Sequence, residues 1–329
     1  MKERVLITGA SGFVGYHLIE AALSKDLEVY AGVRLTSKIS HIQPLPIQFT
    51  YTDFSDPKEI RKDFEKNQYN YIIHAAGSVK ERNRKAYYKS NAELTRKLAL
   101  SATEAHFPLK KFIFISSLAA IGPSLSSDPI TDLKEAKPIT YYGKSKRLAE
   151  SYLSSIPSLP LIVLRPTAVY GPRERDLLIF LKSISHGLEL YIGTKKQQLS
   201  FVYVKDLAAL TIDALVSPVT NKTYNISDGH SYDRYQLADI TKKILQQKTI
   251  RLHIPRGIVY ALASLQELTG LITGNAATLN REKIKELTAE NWVCSIDNIQ
   301  HDLGYVPKYD LKKGLTDTLH WYKENHWLN

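Results

Sequence analysis

Tyr142 and Lys146 stand four residues apart in a stretch patterned as a helix, so both side chains occupy one face. A phenol near its ordinary pKa of about 10 is a poor base at neutral pH, and a neighbouring ammonium lowers that value by favouring the phenolate. Lys146 is spaced to supply such a charge. Tyr141 has Ser145 as its four-residue partner, which leaves Tyr142 the better candidate. Alone, the pair reads as an ordinary helix-surface feature. A nearby strand changes that reading: Phe112-Ile113-Phe114-Ile115-Ser116-Ser117 is a buried-strand pattern ending in two hydroxyls. Ligands bind outside the carboxyl ends of strands in open α/β sheets. Ser117 would there hydrogen-bond a substrate oxygen that Tyr142 protonates or deprotonates, while Ser116 caps or packs. The chemistry indicated is acid–base work at a carbonyl or an alcohol.

A second constellation lies at the N-terminal end. Thr8-Gly9-Ala10-Ser11-Gly12-Phe13-Val14-Gly15 follows the first apolar strand and opens the first helix. Gly9 permits a tight turn, Gly12 leaves the backbone open to a pyrophosphate, and Gly15 lets helix and strand pack closely. The helix N-terminus adds unpaired N–H groups and partial positive charge. The spacing is G-x-x-G-x-x-G rather than the commoner G-x-G-x-x-G. With Ser11, Phe13 and Val14 between the glycines, it reads as a dinucleotide-binding turn. An acid about 20 residues further on would hold the ribose 2′-hydroxyl of NAD. Here the second strand ends Ala31-Gly32-Val33-Arg34, followed by Thr36, Ser37 and Lys38. Arg34 and Lys38 in that place favour NADP(H) over NAD(H); the competing reading is a plain solvated strand end.

These groups need a scaffold, and the first half of the chain supplies one. Strand patterns fall at Arg4 to Thr8, Leu27 to Val33, Ile47 to Tyr51, Tyr71 to His74, Phe112 to Ser116 and Leu161 to Leu164. Helical patterns alternate with them at Tyr16 to Ser24, Pro57 to Lys66, Tyr87 to Thr103 and Tyr142 to Ser154. Short, nearly all-apolar strands separated by helices predict an α/β fold with a doubly wound parallel sheet. After Arg165-Pro166 the pattern is less regular. The boundary is therefore placed at residue 168, with residues 1–168 as the dinucleotide-binding domain and 169–329 as a smaller substrate-binding lobe. A later segment is free to return to the sheet.

Composition narrows the classes. The chain is 43% apolar and 23% charged, which is ordinary for a globular protein. Cys294 is the only cysteine, so neither an intramolecular disulfide nor a cysteine-based metal cluster is expected, and a reducing, cytoplasmic compartment fits. No metal is expected. Met1 runs straight into Val5-Leu6-Ile7 without a signal-peptide pattern. No segment approaches the roughly 20 uninterrupted apolar residues of a spanning helix. The nearest, Ile258 to Ile272, is broken by Gln266 and Glu267 and reads as a buried or amphipathic helix in preference to a membrane-surface one. Stable membrane insertion is not expected. The net charge of +11 is dispersed, and its densest stretch, Lys80-Glu81-Arg82-Asn83-Arg84-Lys85, contains an acid. Attraction of anionic small molecules follows, and nucleic-acid binding does not. A homodimer is left open.

Taken together the motifs resemble the extended short-chain dehydrogenases/reductases, also called the NAD-dependent epimerase/dehydratase family. The resemblance covers nearly the whole chain. It rests on the Gly9, Gly12, Gly15 turn, Asp53-Phe54, His74-Ala75-Ala76-Gly77, Asn91, Ser117 and the Tyr142/Lys146 pair. Leu164-Arg165-Pro166-Thr167-Ala168-Val169-Tyr170-Gly171-Pro172 and Leu303-Gly304-Tyr305-Val306-Pro307 continue it. It implies a Rossmann-like fold, with Asp53 and Phe54 bordering the adenine and Ala75, Ala76 and Gly77 lining the cofactor's centre. Pro166 and Val169 would sit near the nicotinamide, and Asn91 would fix a helix or a water near Lys146. Lys146 would also hold the nicotinamide ribose.

The resemblance also implies hydride transfer and leaves the net reaction open. Relatives acting on nucleotide-linked sugars commonly carry an asparagine where this chain has Ala168, and an arginine where it has Leu199. The asparagine donates a hydrogen bond to the diphosphate and the arginine neutralises it, roles that Arg173, Arg175 or Lys195 would otherwise have to fill from other positions. The expectation is therefore exchange of hydride between NADP(H) and a small, largely apolar ketone or alcohol, as in the reductase and hydroxysteroid-dehydrogenase branches. Ile258 to Ile272 would suit a wall of that pocket. The alternatives are a nucleotide-sugar epimerase/dehydratase with a tightly bound NAD(P), and a non-catalytic dinucleotide sensor.

Overall fold

The computed structural model describes residues 2–273 and 280–328. Its first half alternates strands and helices in the expected order. The strands are β1 (Arg4–Thr8), β2 (Glu28–Gly32), β3 (Gln48–Thr50), β4 (Tyr71–His74), β5 (Lys111–Ile115) and β6 (Leu161–Pro166). The helices are α1 (Phe13–Ser24), α2 (Pro57–Asn67), α3 (Arg84–Tyr87), α4 (Leu94–Glu104) and α5 (Tyr141–Ser154). Later strands are β7 (Ala168–Tyr170), β8 (Leu188–Ile192), β9 (Gln198–Leu199), β10 (Phe201–Tyr203), β11 (Lys222–Ile226), β12 (Tyr232–Asp233) and β13 (Ile250–Ile254). Between and after them run α6 (Asp176–Ser185), α7 (Val204–Val216), α8 (Gln236–Leu245), α9 (Arg256–Thr273), α10 (Arg281–Leu287), α11 (Asp297–Leu303) and α12 (Leu311–Glu324).

Seven parallel strands form the central sheet in the order β11-β6-β5-β4-β1-β2-β3. Alternation along each strand divides the core in two. Val5, Ile7, Ile73, Ile113 and Ile162 face one layer, and Leu6, Ile72, Phe112, Phe114 and Val163 face the other. Helices cover both faces, which is why these strands are nearly all apolar. Strand order reverses at β1, whose neighbours are β2 and β4, and a crevice opens at such a switch point. One strand from beyond residue 168, β11, returns to the sheet beside β6, and α7 packs on α1.

Local chemistry sets the helix starts near the site. Asp56 caps α2 by accepting from Lys58 N, with Pro57 at the first helical position. The Thr140 hydroxyl accepts from Gly143 N and starts α5 just before Tyr142. The single helix expected from Tyr87 to Thr103 is instead α3 and α4 joined by a π-helical stretch, Tyr88–Glu93, that contains Asn91. One wider turn absorbs an extra residue, which a search for a 3.6-residue period does not register. The later segments form two-stranded pairs, β7 with β10, β9 with β12 and β8 with β13. In α9, Val259 and Ala263 are buried whereas Ile258 and Leu262 are exposed, so its first turns are amphipathic. The side chains of Leu265 and residues 267–272, part of the expected pocket wall, lie outside the described residues.

Candidate active site

The glycine turn has the geometry its residues imply. Gly9 has φ +72°, and a Cβ there would lie 2.7 Å from Ala76 N and 2.8 Å from the Ala75 carbonyl carbon. A Cβ on Gly15 would come within 2.1 Å of Gly9 O. Both positions exclude any side chain. Gly12 is exposed and caps α1 with no side-chain hydrogen bond, so the first N–H groups of the helix are unclaimed from within. Those groups and the bare backbone fit a dinucleotide phosphate. Ala75 and Ala76 stand against this turn, and Gly77 follows them at the surface. Phe54 packs on Gly32 at the end of β2, where a Cβ would meet the ring at 3.1 Å. The Asp53 carboxylate accepts from Ser55 N, a bond that holds it below the usual carboxylate range. Arg34 and Lys38 are exposed at the same edge, and the Arg34 backbone N–H donates to Ser37 Oγ. Pro166 is buried, and Val169 is half-buried against the core layer that also touches Ala75.

Ser117, Tyr142, Lys146 and Asn91 converge at the carboxyl end of β5. Lys146 is 4% exposed; its ammonium donates to Ile115 O at 2.9 Å and sits 4.7 Å from the Phe114 ring centroid. Loss of hydration lowers its pKa to about 8, a fall that the charge of Glu150 opposes. The Tyr142 phenol departs from expectation. Burial raises its pKa above the ordinary value, the Ser117 hydroxyl pulls it down by donating to the phenolate form, and Glu286 and Tyr87 raise it further. The expected lowering is therefore corrected: removal from water outweighs the stabilisation available to the anion. The Asn91 side chain accepts from Ser78 N at 2.7 Å and donates to Ser78 O and to Ser145 Oγ, one residue before Lys146. It ties the loop after β4 to α5.

A buried chain of hydrogen bonds joins Asn91 to the glycine turn, and its polarity follows from its ends. The Thr95 hydroxyl donates to Asn91 O at 2.5 Å, so it can only accept from His74 Nε2 at 2.8 Å. His74 Nε2 therefore carries the proton, and Nδ1 accepts from the Thr8 hydroxyl at 2.7 Å. Thr8 Oγ1 in turn accepts from Ala76 N at 3.3 Å. Burial first, and then Lys146, lowers the His74 pKa to about 3, so the ring is neutral and this order is fixed. Behind Lys146, Glu150 accepts from Ser116 at 2.6 Å and from Arg165 through both carboxylate oxygens, 2.9 and 2.7 Å. Ser116 thus packs into a buried ion pair whose disruption from one side costs about 3–5 kcal/mol.

Sequence reading did not find what lies over Tyr142. The cleft beside it is lined by Val79, Lys80, Tyr87 and Thr140 from the first half, with Asp176, and by Asn280, Glu282, Lys283 and Glu286 at α10. Glu282 accepts from Tyr141 N at 2.7 Å and Glu286 from the Thr140 hydroxyl at 2.9 Å, so two carboxylates sit at the N-terminus of α5. No local signal links positions 140 and 286. Arg173, named from the sequence only as a candidate partner for a diphosphate, stands beside the glycine turn. It adopts φ +75°, stacks 3.9 Å from the Tyr16 ring centroid, and with Arg175 acts electrostatically on His41, which hydrogen-bonds the Ser11 backbone. Among the described residues no helix is long and apolar enough to cross a membrane.

Comparison with known proteins agrees with this geometry. The model of the NAD dependent epimerase/dehydratase family matches residues 5–227. A ceramide reductase of Caulobacter vibrioides is 26% identical over 327 residues, covering 98% of this chain and 96% of that protein. An N-acetyl-α-D-glucosaminyl-diphospho-ditrans,octacis-undecaprenol 4-epimerase of Escherichia coli O157:H7 is also 26% identical, with 98% and 96% coverage. Among solved structures, a UDP-glucose 4-epimerase with UDP-glucose from Thermotoga maritima superposes with TM-score 0.81 at 22% identity, covering 98% of this chain and 99% of that one. That likeness concerns the fold. The family match spans the central sheet, the glycine turn and the cluster around Tyr142, and the chain belongs to the NAD-dependent epimerase/dehydratase family of enzymes.

Proposed function

We propose that this enzyme is a cytoplasmic NADP(H)-dependent oxidoreductase interconverting a small, largely apolar ketone and its alcohol, with residues 169–329 contributing the substrate lobe. The observation that carries the reading is the convergence of Ser117, Tyr142 and Lys146 at the end of β5. Gly9, Gly12 and Gly15, with Ser11, Phe13 and Val14, would hold the cofactor's phosphates, and Arg34 and Lys38 its 2′-phosphate. Asp53 and Phe54 would border the adenine. Ala75, Ala76, Gly77, Pro166 and Val169 would line the remainder, with Lys146 on the ribose. The bound nicotinamide supplies or accepts the hydride. Tyr142, kept protonated by burial, gives its proton to the substrate oxygen, and Ser117 orients that oxygen. Asn91, bonded to Ser145, keeps α5 and therefore Lys146 in register. A phenol shifted upward is protonated at neutral pH, the form that the reducing direction requires.

Charge around the cleft supports the substrate class. Ala168 is exposed without a donor, and Leu199 is half-buried and apolar. Lys80 is paired with Asp176 at 2.6 Å, and Lys283 with Glu286 at 3.5 Å. Glu282 is likewise paired with Lys285, so both lysines of the described cleft lining are engaged and a diphosphate would find no uncommitted cation among them, whereas a neutral carbonyl compound needs none. The Caulobacter relative is named a reductase, in keeping with this reading. The Escherichia coli relative is named an epimerase of a diphospho-linked sugar and keeps a second reading, nucleotide-sugar epimerisation or dehydration, in view. Calorimetry with UDP, dTDP and GDP sugars in the presence of NADPH separates the two. No micromolar binding is expected, and micromolar affinity for any one of them would transfer the assignment to the second reading.

A further inference from the structure

β8 and β13 form a parallel ribbon in which Leu188 pairs with Ile250, Leu190 with Leu252 and Ile192 with Ile254. Strand alternation sends the intervening Glu189, Tyr191, Arg251 and His253 to the other side. There Glu189 is buried between Lys242 and Arg251, and Tyr191 stacks on His253. The remaining side of the ribbon is wholly aliphatic. Leu188, Leu190, Leu252 and, at 65%, Ile250 are exposed. Only the far end is covered, where Ile192 and Ile254 pack against Val259 and Ala263 of α9. On that helix Ile258 and Leu262, one turn apart, are 54% and 52% exposed. Scattered exposed leucines are normal; an apolar face continued by a helix ridge marks a site of association.

We infer that this ribbon face and the first turns of α9 dock on an anionic lipid bilayer. The charge around the face selects that occupant. Segments 182–196 and 242–262 carry eight lysines and arginines; Lys195, Lys242 and Arg251 are paired with Glu290, Glu189 and Asp239, and Lys182, Lys196, Lys243, Lys248 and Arg256 leave the surroundings basic. A second copy of the chain would set like charges against each other, whereas acidic headgroups complement them. No described helix can span the bilayer, so the association is peripheral. The surface also adjoins the cleft: Ile284 of α10 packs with Val259 and Ala263, while Glu282 and Glu286 of the same helix reach the start of α5. An apolar compound dissolved in the bilayer would therefore meet the enzyme beside Tyr142, although docking does not depend on the substrate assignment.

Co-sedimentation of the full chain with phosphatidylglycerol/phosphatidylcholine vesicles and with pure phosphatidylcholine vesicles tests the inference. Partition is expected to be at least about tenfold stronger on the anionic vesicles and to weaken at high salt. The exposed pair Leu190→Asn with Leu252→Asn should lower it about tenfold while NADPH still raises the melting temperature. Ile258→Gln with Leu262→Gln should act in the same direction, and it serves if the ribbon variant does not fold. Failure to bind anionic vesicles, equal binding to both vesicle types, binding that folded variants leave unchanged, or a lipid-free dimer that the substitutions dissociate would each overturn it.

Discussion

Burial holds the Tyr142 phenol above its ordinary pKa, with Ser117 acting against the rise and Glu286 adding to it. Such a group remains protonated across the working range of an enzyme and is an acid before it is a base. Lys146 moves the other way, to about 8, because its ammonium loses hydration. If Lys146 must carry its charge, kcat/KM for ketone reduction should hold level up to about pH 8 and decline above it, since that ratio reports groups of the free enzyme. Tyr142→Phe keeps the ring and removes the proton, so the rate should fall by about 10²–10⁴ across the whole profile with NADPH affinity unchanged. Rates equal to wild type in this variant, or a profile that climbs beyond pH 8, would take these two groups out of the mechanism. The pair itself was legible because a spacing of four is a local fact. The direction of the tyrosine shift was not, since it depends on burial and on α10, which is remote in sequence.

The elements position the site through contacts that are equally uneven in their legibility. β1, β4, β5 and β6 announce themselves as apolar runs because helices cover both faces of the sheet. β7, β9, β10 and β12 have two or three residues each and pair with distant segments, so no periodic pattern precedes them. The π-helical stretch around Asn91 was illegible for a different reason, that its stability is tertiary. Thr95 and His74 fasten the Asn91 carbonyl to Thr8 of β1. Thr95→Val, close to threonine in shape, would remove the donor to Asn91 O and leave the His74 Nε2 proton without an acceptor. An unsatisfied buried donor costs about 1–3 kcal/mol. Thr95→Ser retains the hydroxyl and should lose less than Thr95→Val in urea unfolding. If the serine variant is destabilised as much as the valine variant, the methyl group and not the hydrogen-bond chain holds this turn.

Across the whole molecule a net charge of +11 is spread without a nucleic-acid-like cluster, which suits an anionic small molecule. NADPH carries more negative charge than NADH, yet that general attraction would not by itself discriminate strongly between them at physiological salt. Discrimination needs a local partner, and the exposed Arg34 and Lys38 stand where a ribose-binding acid would otherwise select NAD. A ligand that binds only the folded state stabilises it by about 2.7 kcal/mol at a hundredfold excess over Kd. At equal concentrations NADPH should therefore raise the melting temperature more than NADH. Arg34→Ala should narrow the difference in binding free energy by about 1.5–3 kcal/mol, the worth of a charged hydrogen bond. Arg173→Ala provides the contrast, because Arg173 lies on Tyr16 and acts on His41, which hydrogen-bonds the Ser11 backbone of the glycine turn. Its loss should weaken both cofactors alike if it acts on a phosphate they share. A larger shift with NADH than with NADPH in the wild type would overturn the NADP(H) assignment, and a gap closed by Arg173→Ala alone would move the 2′-phosphate contact from Arg34 to Arg173.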